Sequence, residues 1–568
     1  MAYKVLLLVC LCCHGSIQAQ TFDPSVVAFS RYGSYMSLRT AASELDLHDL
    51  TATVMWSETK VLRIAAVDGN DTLPVTYSAT PLALEGKAAH GKFRVYFESP
   101  RILHLTAEGI NLQMTGQYEH RIFESPAMPG SFVLHERYMV LTPKKGTIRL
   151  PDTQNDSVIT FTRDAQGRLD IVLEQYYGDW VPRKYTEDSA TSMKKLRTEL
   201  AAWNKAMPSV PEKYQPAAQL ASYLNWSCVY EPRENITRYG MAMSKARMIY
   251  IWSWDHCFNA LSLSYGLPKA SWDQFMLLFD HQDPQTGALP DLISSEAINW
   301  KSKKPPVHGW ILSLLSRHIT LTPQQQKEAY DRLSRWTDFW MNQRNGNAPN
   351  LPEYYMGMDA GWDNGTAFDR GGPFESPDLA TYLVLQMEEL AHLATALHHT
   401  DAAAEWMTKS KDLTSRLIKR LWTGEKFVTR KVGTGAYDTA SRSLMSYLPL
   451  LLGKRLPAPI RATMIADLKK EGYLLTPYGL ASESPQSKLY EPNGYWRGPI
   501  WAPNMVIMAM ALRDCGEEEF AREIAKRFCD NCMKAGFAEN YDALTGAPLC
   551  DPTYTWTSSA FLVLAHEL

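Results

Sequence analysis

The feature that most constrains the fold is a change of hydrophobic period near residues 190–212. Before it, from Thr21 onward, short runs alternate apolar and polar residues between turn signals, as in Phe93–Phe97, Ile110–Met114 and Phe132–Leu141. A period of two belongs to strands with one buried face. Val158–Thr162 and Leu169–Leu173 flank the turn sequence Asp164-Ala-Gln-Gly167, which is a hairpin signal. Many short strands with no helix between them predict an antiparallel β-sandwich over 21–190. Leu196, Leu200, Trp203 and Met207 then recur at helical spacing until Pro208 and Pro211 break the pattern, so 191–212 reads as a linker helix.

Beyond residue 212 the chain is a train of helices, predicted near 213–230, 255–266, 270–282, 306–319, 323–343, 376–397, 401–422, 439–453, 458–470, 500–514, 517–534 and 556–567. The long connections follow the first, third, fifth, ninth and eleventh. If neighbours run up and down, every loop after an odd-numbered helix emerges at the same end. Helices so arranged predict a closed (α/α)6 barrel over 213–568, although an open solenoid fits the helix count equally well.

A formal net charge of −3 leaves no basic surplus for neutralising a phosphate backbone, so nucleic acid is not an expected partner. Residues 1–20 read as a signal peptide, with Lys4, the apolar run Val5–Cys13 and small residues at Ser16 to Ala19. That run is too short to span a bilayer, and the expected location is exported, periplasmic or extracellular. Cys228, Cys257, Cys515, Cys529, Cys532 and Cys550 remain after the signal and fit no zinc spacing. Cys529 and Cys532 sit in a helical stretch and read as structural; an exported chain can join some of the six as disulfides. Sequons occur at Asn70, Asn155, Asn225, Asn235 and Asn364.

The five long loops hold a large share of the aromatic and acidic residues: Trp252-Ser-Trp-Asp255, 283–306, 353–374, Glu491–Trp501 and Ala538–Gly546. Taken singly, each has a plain structural reading, Trp252 and Trp254 as plugs for the helices, Asp255 as an N-cap and Asp363-Asn-Gly365 as a turn. Aromatic rings converging on one face together with carboxylates suit a sugar, whose C–H faces stack on rings while its hydroxyls meet acids and amides. Hydrolysis of a glycosidic bond needs two carboxyl groups, one protonated and one ionised. The candidates are Asp255, Asp291, Glu353, Asp359, Asp363, Asp369, Glu491, Glu539 and Asp542, and spacing does not choose among them. His256 and His308 do not make a familiar metal pattern, and no phosphate loop or nucleophile elbow is present.

Trp252-Ser-Trp-Asp255, Lys304-Pro-Pro-Val-His-Gly-Trp310, Ala360-Gly-Trp-Asp-Asn364, Tyr495-Trp-Arg-Gly-Pro-Ile-Trp501 and Glu539-Asn-Tyr541 followed by Thr545-Gly546 occur in this order. From about residue 214 onward the chain thereby resembles glycoside hydrolase family 63 and its mannosylglycerate-hydrolase-like relatives, with trehalases more distant. The resemblance implies an inverting α-glycosidase on an (α/α)6 barrel with no metal or cofactor, acting on an α-linked glucoside or mannoside. It implies Asp363 as general acid and Glu539 as general base. Trp252, Trp254, Asp255, Trp310, Trp362, Trp496, Arg497 and Tyr541 would bind the substrate. Where the family often has Glu-Ser before the acid motif and Ser-Pro-Arg after it, this chain has Asp359-Ala360 and Gly365-Thr-Ala367, which leaves the sugar open. A sugar-binding protein without activity, and a lyase or epimerase on the same barrel, are the competing readings.

Overall fold

The computed structural model describes residues 20–41, 44–51, 59–69, 71–116, 122–151 and 158–568. The predicted signal peptide and the sequons at Asn70 and Asn155 lie outside the described residues. The N-terminal strands form two antiparallel sheets. One runs in the order Met36–Ala41, Glu44–Asp49, Lys60–Asp68, Asn111–Gly116, Val158–Thr162, Thr147–Arg149. The other runs Ile122–Glu124, Phe132–Leu134, Met139–Lys145, Arg168–Gln175, Ile102–Glu108, Gly91–Ser99, Leu84–Ala88, Thr76–Ala79. Leu38, Leu47, Leu62, Leu112 and Phe161 of the first meet Phe93, Val95, Leu105, Leu141 and Ile171 of the second in one core. A slip of one residue would turn these side chains outward, at about 1.5–3 kcal/mol each, so the register is firmly set.

Two strand expectations need correction. Phe132–Leu141 is interrupted by a 3-10 turn at His135–Arg137, after which Tyr138 takes a left-handed backbone (φ 48). The Asp164–Gly167 turn forms, with Asp164 accepting Gly167 N–H at 2.9 Å, yet the strands on either side do not pair. Val158–Thr162 joins the first sheet and Arg168–Gln175 the second, so this turn carries the chain from one sheet to the other. Both strands still bury Ile159, Phe161, Leu169 and Ile171 in the shared core, which is why alternation alone could not tell the two cases apart.

The linker helix α1 (Ser189–Ala206) is capped by Asp188, which accepts Thr191 N–H, and buries Leu196, Leu200 and Trp203. There follow α2 (Gln215–Ser227), α3 (Asp255–Leu263), α4 (Pro268–Met276), α5 (His308–Leu315), α6 (Pro323–Asp338), α7 (Pro377–Ala396) and α8 (Thr400–Leu421). A 3-10 segment Leu444–Arg455, α9 (Ala458–Leu468), α10 (Ala502–Asp514), α11 (Glu518–Ala535) and α12 (Thr555–His566) complete the chain. In sequence order, α3, α5, α7, the 3-10 segment, α10 and α12 each pack against the next, and α12 packs back against α3. The remaining helices lie against this set: α2 on α12, α4 on α3, α6 and α8 on α7, α9 on the 3-10 segment, and α11 on α10 and α12. Sequence explains the division. Every residue of α3 is buried, whereas α8 buries one stripe, Trp406, Ser410, Leu413, Leu417 and Leu421.

The helix expected over 439–453 is confined to Leu444–Arg455 and is 3-10 in character, because Pro449 has no N–H to donate and Gly453 (φ 55, ψ −129) leaves the helical region. The connection 422–443 is also long, so a sixth loop joins the five expected. Among the described residues no helix is long and apolar enough to cross a membrane. All six described cysteines are free thiols, so the disulfides allowed for by the sequence do not form.

Two buried polar clusters tie the fold together near the loops. Lys245 Nζ donates to Ser30 Oγ and to the carbonyls of Arg31, Ser34 and Val229, pinning the N-terminal segment to the loop before α3. Asn225 of α2 donates to Ser559 Oγ of α12 at 3.0 Å and accepts from Ser558, while Ser559 donates to Asn259 of α3 at 3.0 Å. The sequon at Asn225 is therefore inside the core, with the residue 0% exposed. Asn225→Ala would leave Ser558 and Ser559 short of partners, and a loss of about 1–3 kcal/mol is expected. Urea denaturation checks it; a loss below about 0.5 kcal/mol would show that the network does not join these helices.

Candidate active site

The loops that precede α3, α5, α7, the 3-10 segment, α10 and α12 are knitted into small antiparallel ladders. Ile251–Trp252 pairs with Leu292–Ile293, which pairs with Ile298–Asn299. Glu353–Tyr354, Phe374–Glu375 and Arg430–Lys431 form a second ladder, and Ile500–Trp501, Asn540–Tyr541 and Pro548–Leu549 a third. These ladders satisfy backbone groups that irregular loops would leave exposed, and they hold the site residues on short rigid stems. Between them lies a cavity of about 560 Å³, within the usual range for small-molecule sites.

Its floor is tryptophan. Trp496 stacks on Trp501 at 3.9 Å with the rings 2° from parallel, and its other tryptophan neighbours are Trp362 at 4.9 Å and Trp254 at 6.1 Å. Trp556 meets Trp254 edge-on at 5.7 Å. Trp252, Trp254, Trp496 and Trp556 face the cavity together with Asp255, Asp363, Glu539 and Tyr554.

Asp363 and Glu539 thus line one cavity, in opposite surroundings. The Asp363 side chain is 34% exposed, and its Oδ1 lies 3.5 Å from Lys304 Nζ. Burial pushes its carboxyl up, Lys304 pulls it down, and Asp291 pushes it up again. The carboxylate that gives this last push is Asp291, from the loop before α5. Glu539 is 2% exposed. Tyr495 Oη donates to its Oε1 at 2.9 Å and Asp551 N–H to its Oε2 at 3.2 Å. Burial pushes Glu539 to about 7, opposed by these hydrogen bonds and aided by Asp551 and Asp255. Asp255, the first residue of α3, accepts from Tyr554 Oη at 3.0 Å and is likewise pushed by burial to about 7. Asn364, beside Asp363, accepts Trp496 N–H and donates to Gly494 O, both at 3.0 Å, so the loop bearing Asp363 is latched to the loop bearing Trp496.

Four residues expected to touch substrate do not line the cavity. Trp310 packs edge-on to Phe258 in the helical core, and Trp362 lies behind Trp496. Arg497 bridges Asp369 and Glu491 at 2.6 and 2.9 Å, its fork taken by one carboxylate of its own loop and one of the Asp363 loop. Tyr541 Oη donates to Gly536 O at 2.6 Å beside Cys532. Trp362, Arg497 and Tyr541 sit in the expected loops and Trp310 in the first turn of α5, but each side chain points to a neighbouring element. Conversely, Arg247, Met248, Asp291, Lys304, Met358, Tyr495, Asp551, Tyr554 and Trp556 line the cavity without having been singled out as binding residues. Lys304 and Tyr495 stood within two of the sequence motifs; Asp551 and Tyr554 lie beyond the last one and carried no signal.

His256, Cys257 and His308 bring their ligand-type atoms within 4.8 Å of one another. Both ring nitrogens of His256 face backbone carbonyls, of Trp252 at 3.0 Å and Phe275 at 3.2 Å. Phe275, Phe279 and Trp336 surround His308, and burial holds that imidazole well below its usual range. These are the surroundings of packed core histidines.

A family model described as the mannosylglycerate hydrolase MGH1-like glycoside hydrolase domain matches residues 248–557. The mannosylglycerate hydrolase of Thermus thermophilus is 27% identical over 197 residues, which span 34% of this chain and 46% of that protein. The mannosylglycerate hydrolase of Rubrobacter radiotolerans is 22% identical over 409 residues, 56% of this chain and 90% of that protein. The crystal structure of a bacterial glucoamylase complexed with acarbose covers 98% of this chain and 95% of its own at TM-score 0.59 and 12% identity, a likeness of fold.

Gly361 tests the floor. It adopts φ +71, and a Cβ there would stand 2.6 Å from Cε2 and Cζ2 of Trp254. Gly361→Ala must displace that ring, and a fall of at least about tenfold in kcat/KM is expected, since a shift of an ångström can cost a hundredfold. Steady-state kinetics on the folded variant measure it; unchanged kcat/KM would remove Trp254 from the floor.

Proposed function

The chain belongs to the mannosylglycerate hydrolase MGH1-like glycoside hydrolase family, and from that premise we propose that it is an inverting α-glycosidase built on an (α/α)6 barrel, acting on an α-linked mannoside or glucoside. The barrel reading is supported by the ring of six helices packed each against the next, with six others outside. The N-terminal sheets, sharing one core, support a β-sandwich ahead of it. In this reading Asp363 is the proton donor and Glu539 the base. The observation that carries it is that both carboxyl groups line one tryptophan-floored cavity in distinct surroundings, Asp363 beside a lysine and Glu539 between a tyrosine hydroxyl and a backbone N–H.

The glycone lies against the tryptophan floor of the cavity, with Asp255 positioned for its hydroxyls. Asp363 protonates the glycosidic oxygen as the bond breaks. Glu539, ionised and accepting from Tyr495 and Asp551, takes a proton from the water that attacks the anomeric carbon on the opposite face. The named relatives make mannosylglycerate the first substrate to try. The pattern of residues 1–20 supports an exported location.

The test is to offer the purified protein mannosylglycerate, its glucosyl analogue and a panel of α-linked mannose and glucose disaccharides, and to assay reducing sugar. Asp363→Asn, which keeps size but has no proton to give, should lower turnover at least about a hundredfold. An unsaturated product would indicate a lyase, an inverted stereocentre without cleavage an epimerase, and no turnover of any member a binding protein.

The pH dependence follows from the same assignment. Glu539 must be ionised, and its carboxylate form grows as pH rises through about 7. Asp363 must be protonated, and its proton is lost as pH rises. kcat/KM should therefore fall on both sides of a maximum, with one limb near pH 7 that disappears in Glu539→Gln. A flat profile between pH 5 and 9 would contradict the pair.

A further inference from the structure

The wall of the cavity that holds Asp363 contains a second feature. Lys304 enters it from the loop before α5 and is 6% exposed. Its Nζ donates to Met358 O at 3.0 Å, lies 3.5 Å from Asp363 Oδ1, and lies 3.6 Å from Asp291 Oδ1. Asp291 is 7% exposed. Its Oδ2 accepts from Ser302 Oγ at 2.7 Å, while its Oδ1 has no hydrogen bond and lies 3.6 Å from the ammonium. Met358 belongs to the same loop as Asp363, so the lysine is fixed both to the backbone of that loop and to its carboxylate. Two carboxyl groups thus share one buried cation.

Each member of this trio would be costly alone. An isolated ammonium or carboxylate out of water loses several kcal/mol, and the cost falls only when an opposite charge and hydrogen bonds replace the solvent. An ammonium 3.5 Å from a carboxyl also favours its ionised form, which is the wrong form for a proton donor. A carboxylate on the far side of the same ammonium offsets that pull. The other charged or titratable groups that bear on Asp363 are Asp255 at the start of α3 and Tyr495 from the loop before α10, with Glu539 lining the same cavity.

We propose that Lys304 and Asp291 are a positioning pair for the proton donor: Lys304 engages Oδ1 of Asp363 so that the other oxygen carries the proton to the glycosidic oxygen, and Asp291 balances Lys304 so that the proton is held until then. The step balances: the O–H bond of Asp363 breaks, the proton passes to the leaving oxygen, and the carboxylate left behind gains the ammonium as counter-ion. The pair acts through Asp363, so this rests on Asp363 being the donor.

The two charges have opposite signs, so their removal has opposite consequences. Lys304→Met removes the cation, Asp363 holds its proton more tightly, and the pH optimum of kcat/KM moves up. Asp291→Asn leaves the cation unbalanced, Asp363 loses its proton more readily, and the optimum moves down. An opposite charge at this range shifts a carboxyl by about 1–3 pH units, so each optimum should move by at least about half a unit. The double variant Lys304→Met/Asp291→Asn should return near the original optimum at reduced rate. A purely structural role would lower rates without moving optima, and the position of an optimum does not depend on how much enzyme is folded.

The experiment is kcat/KM against pH for the wild type, the two single variants, the double variant and Asp363→Asn, with mannosylglycerate or the α-disaccharide turned over fastest. Opposite shifts with recovery in the double variant support the pair. Optima that stay put, or move the same way, while Asp363→Asn is inactive overturn the pair and leave the donor assignment standing. A fully active Asp363→Asn overturns the donor assignment and this inference together.

Discussion

Asp255, Asp291 and Glu539 are buried and Asp363 is half-buried around one cavity, with the Lys304 ammonium beside Asp291 and Asp363, and Glu539 held between Tyr495 and Asp551. Burying that many acids in one small cavity is unfavourable unless each has a fixed partner. The partners come from different loops: Lys304 from the connection before α5, Tyr495 from the one before α10, Asp551 and Tyr554 from the one before α12. The site therefore exists only when these loops are brought to one end of the helical set. Burial then does chemical service, since it lifts Asp255 and Glu539 to about 7, where a proton is easily gained or lost.

The helices make that gathering possible. α3, buried on every side, and α8, with a single apolar stripe, leave no choice about which face points inward. The loops before α3, α5, α7, α10 and α12 meet at the cavity. The loops are then stiffened by three short ladders and by Asn364, whose amide ties the Asp363 loop to the Trp496 loop. The N-terminal sheets reach the same region through Lys245, which anchors residues 30–34 just before Arg247 and Met248 of the cavity wall.

Much of this was legible in the residues. The change of period near 190–212 separated strands from helices, and the five motifs named the loops that meet at the cavity. What sequence could not supply was the direction of each side chain. Trp310, Trp362, Arg497 and Tyr541 have the residue types of a sugar site, yet tertiary packing turns them to Phe258, Trp496, Asp369 and Gly536. The strands around Asp164–Gly167 alternate as a hairpin would, but both sheets face one core, so the pattern is the same whether the strands pair or part. Lys304 was visible only as one letter of a motif, because its role comes from two carboxylates distant in sequence.

In the proposed mechanism Glu539 activates a water instead of attacking the sugar itself. That requires room for the water between the two carboxyl groups, and it fixes the configuration of the product. Proton NMR of the sugar released in the first moments of turnover of an α-linked substrate measures this directly. The β-anomer should form first and mutarotate later; initial release of the α-anomer would contradict the assignment of Glu539 as base.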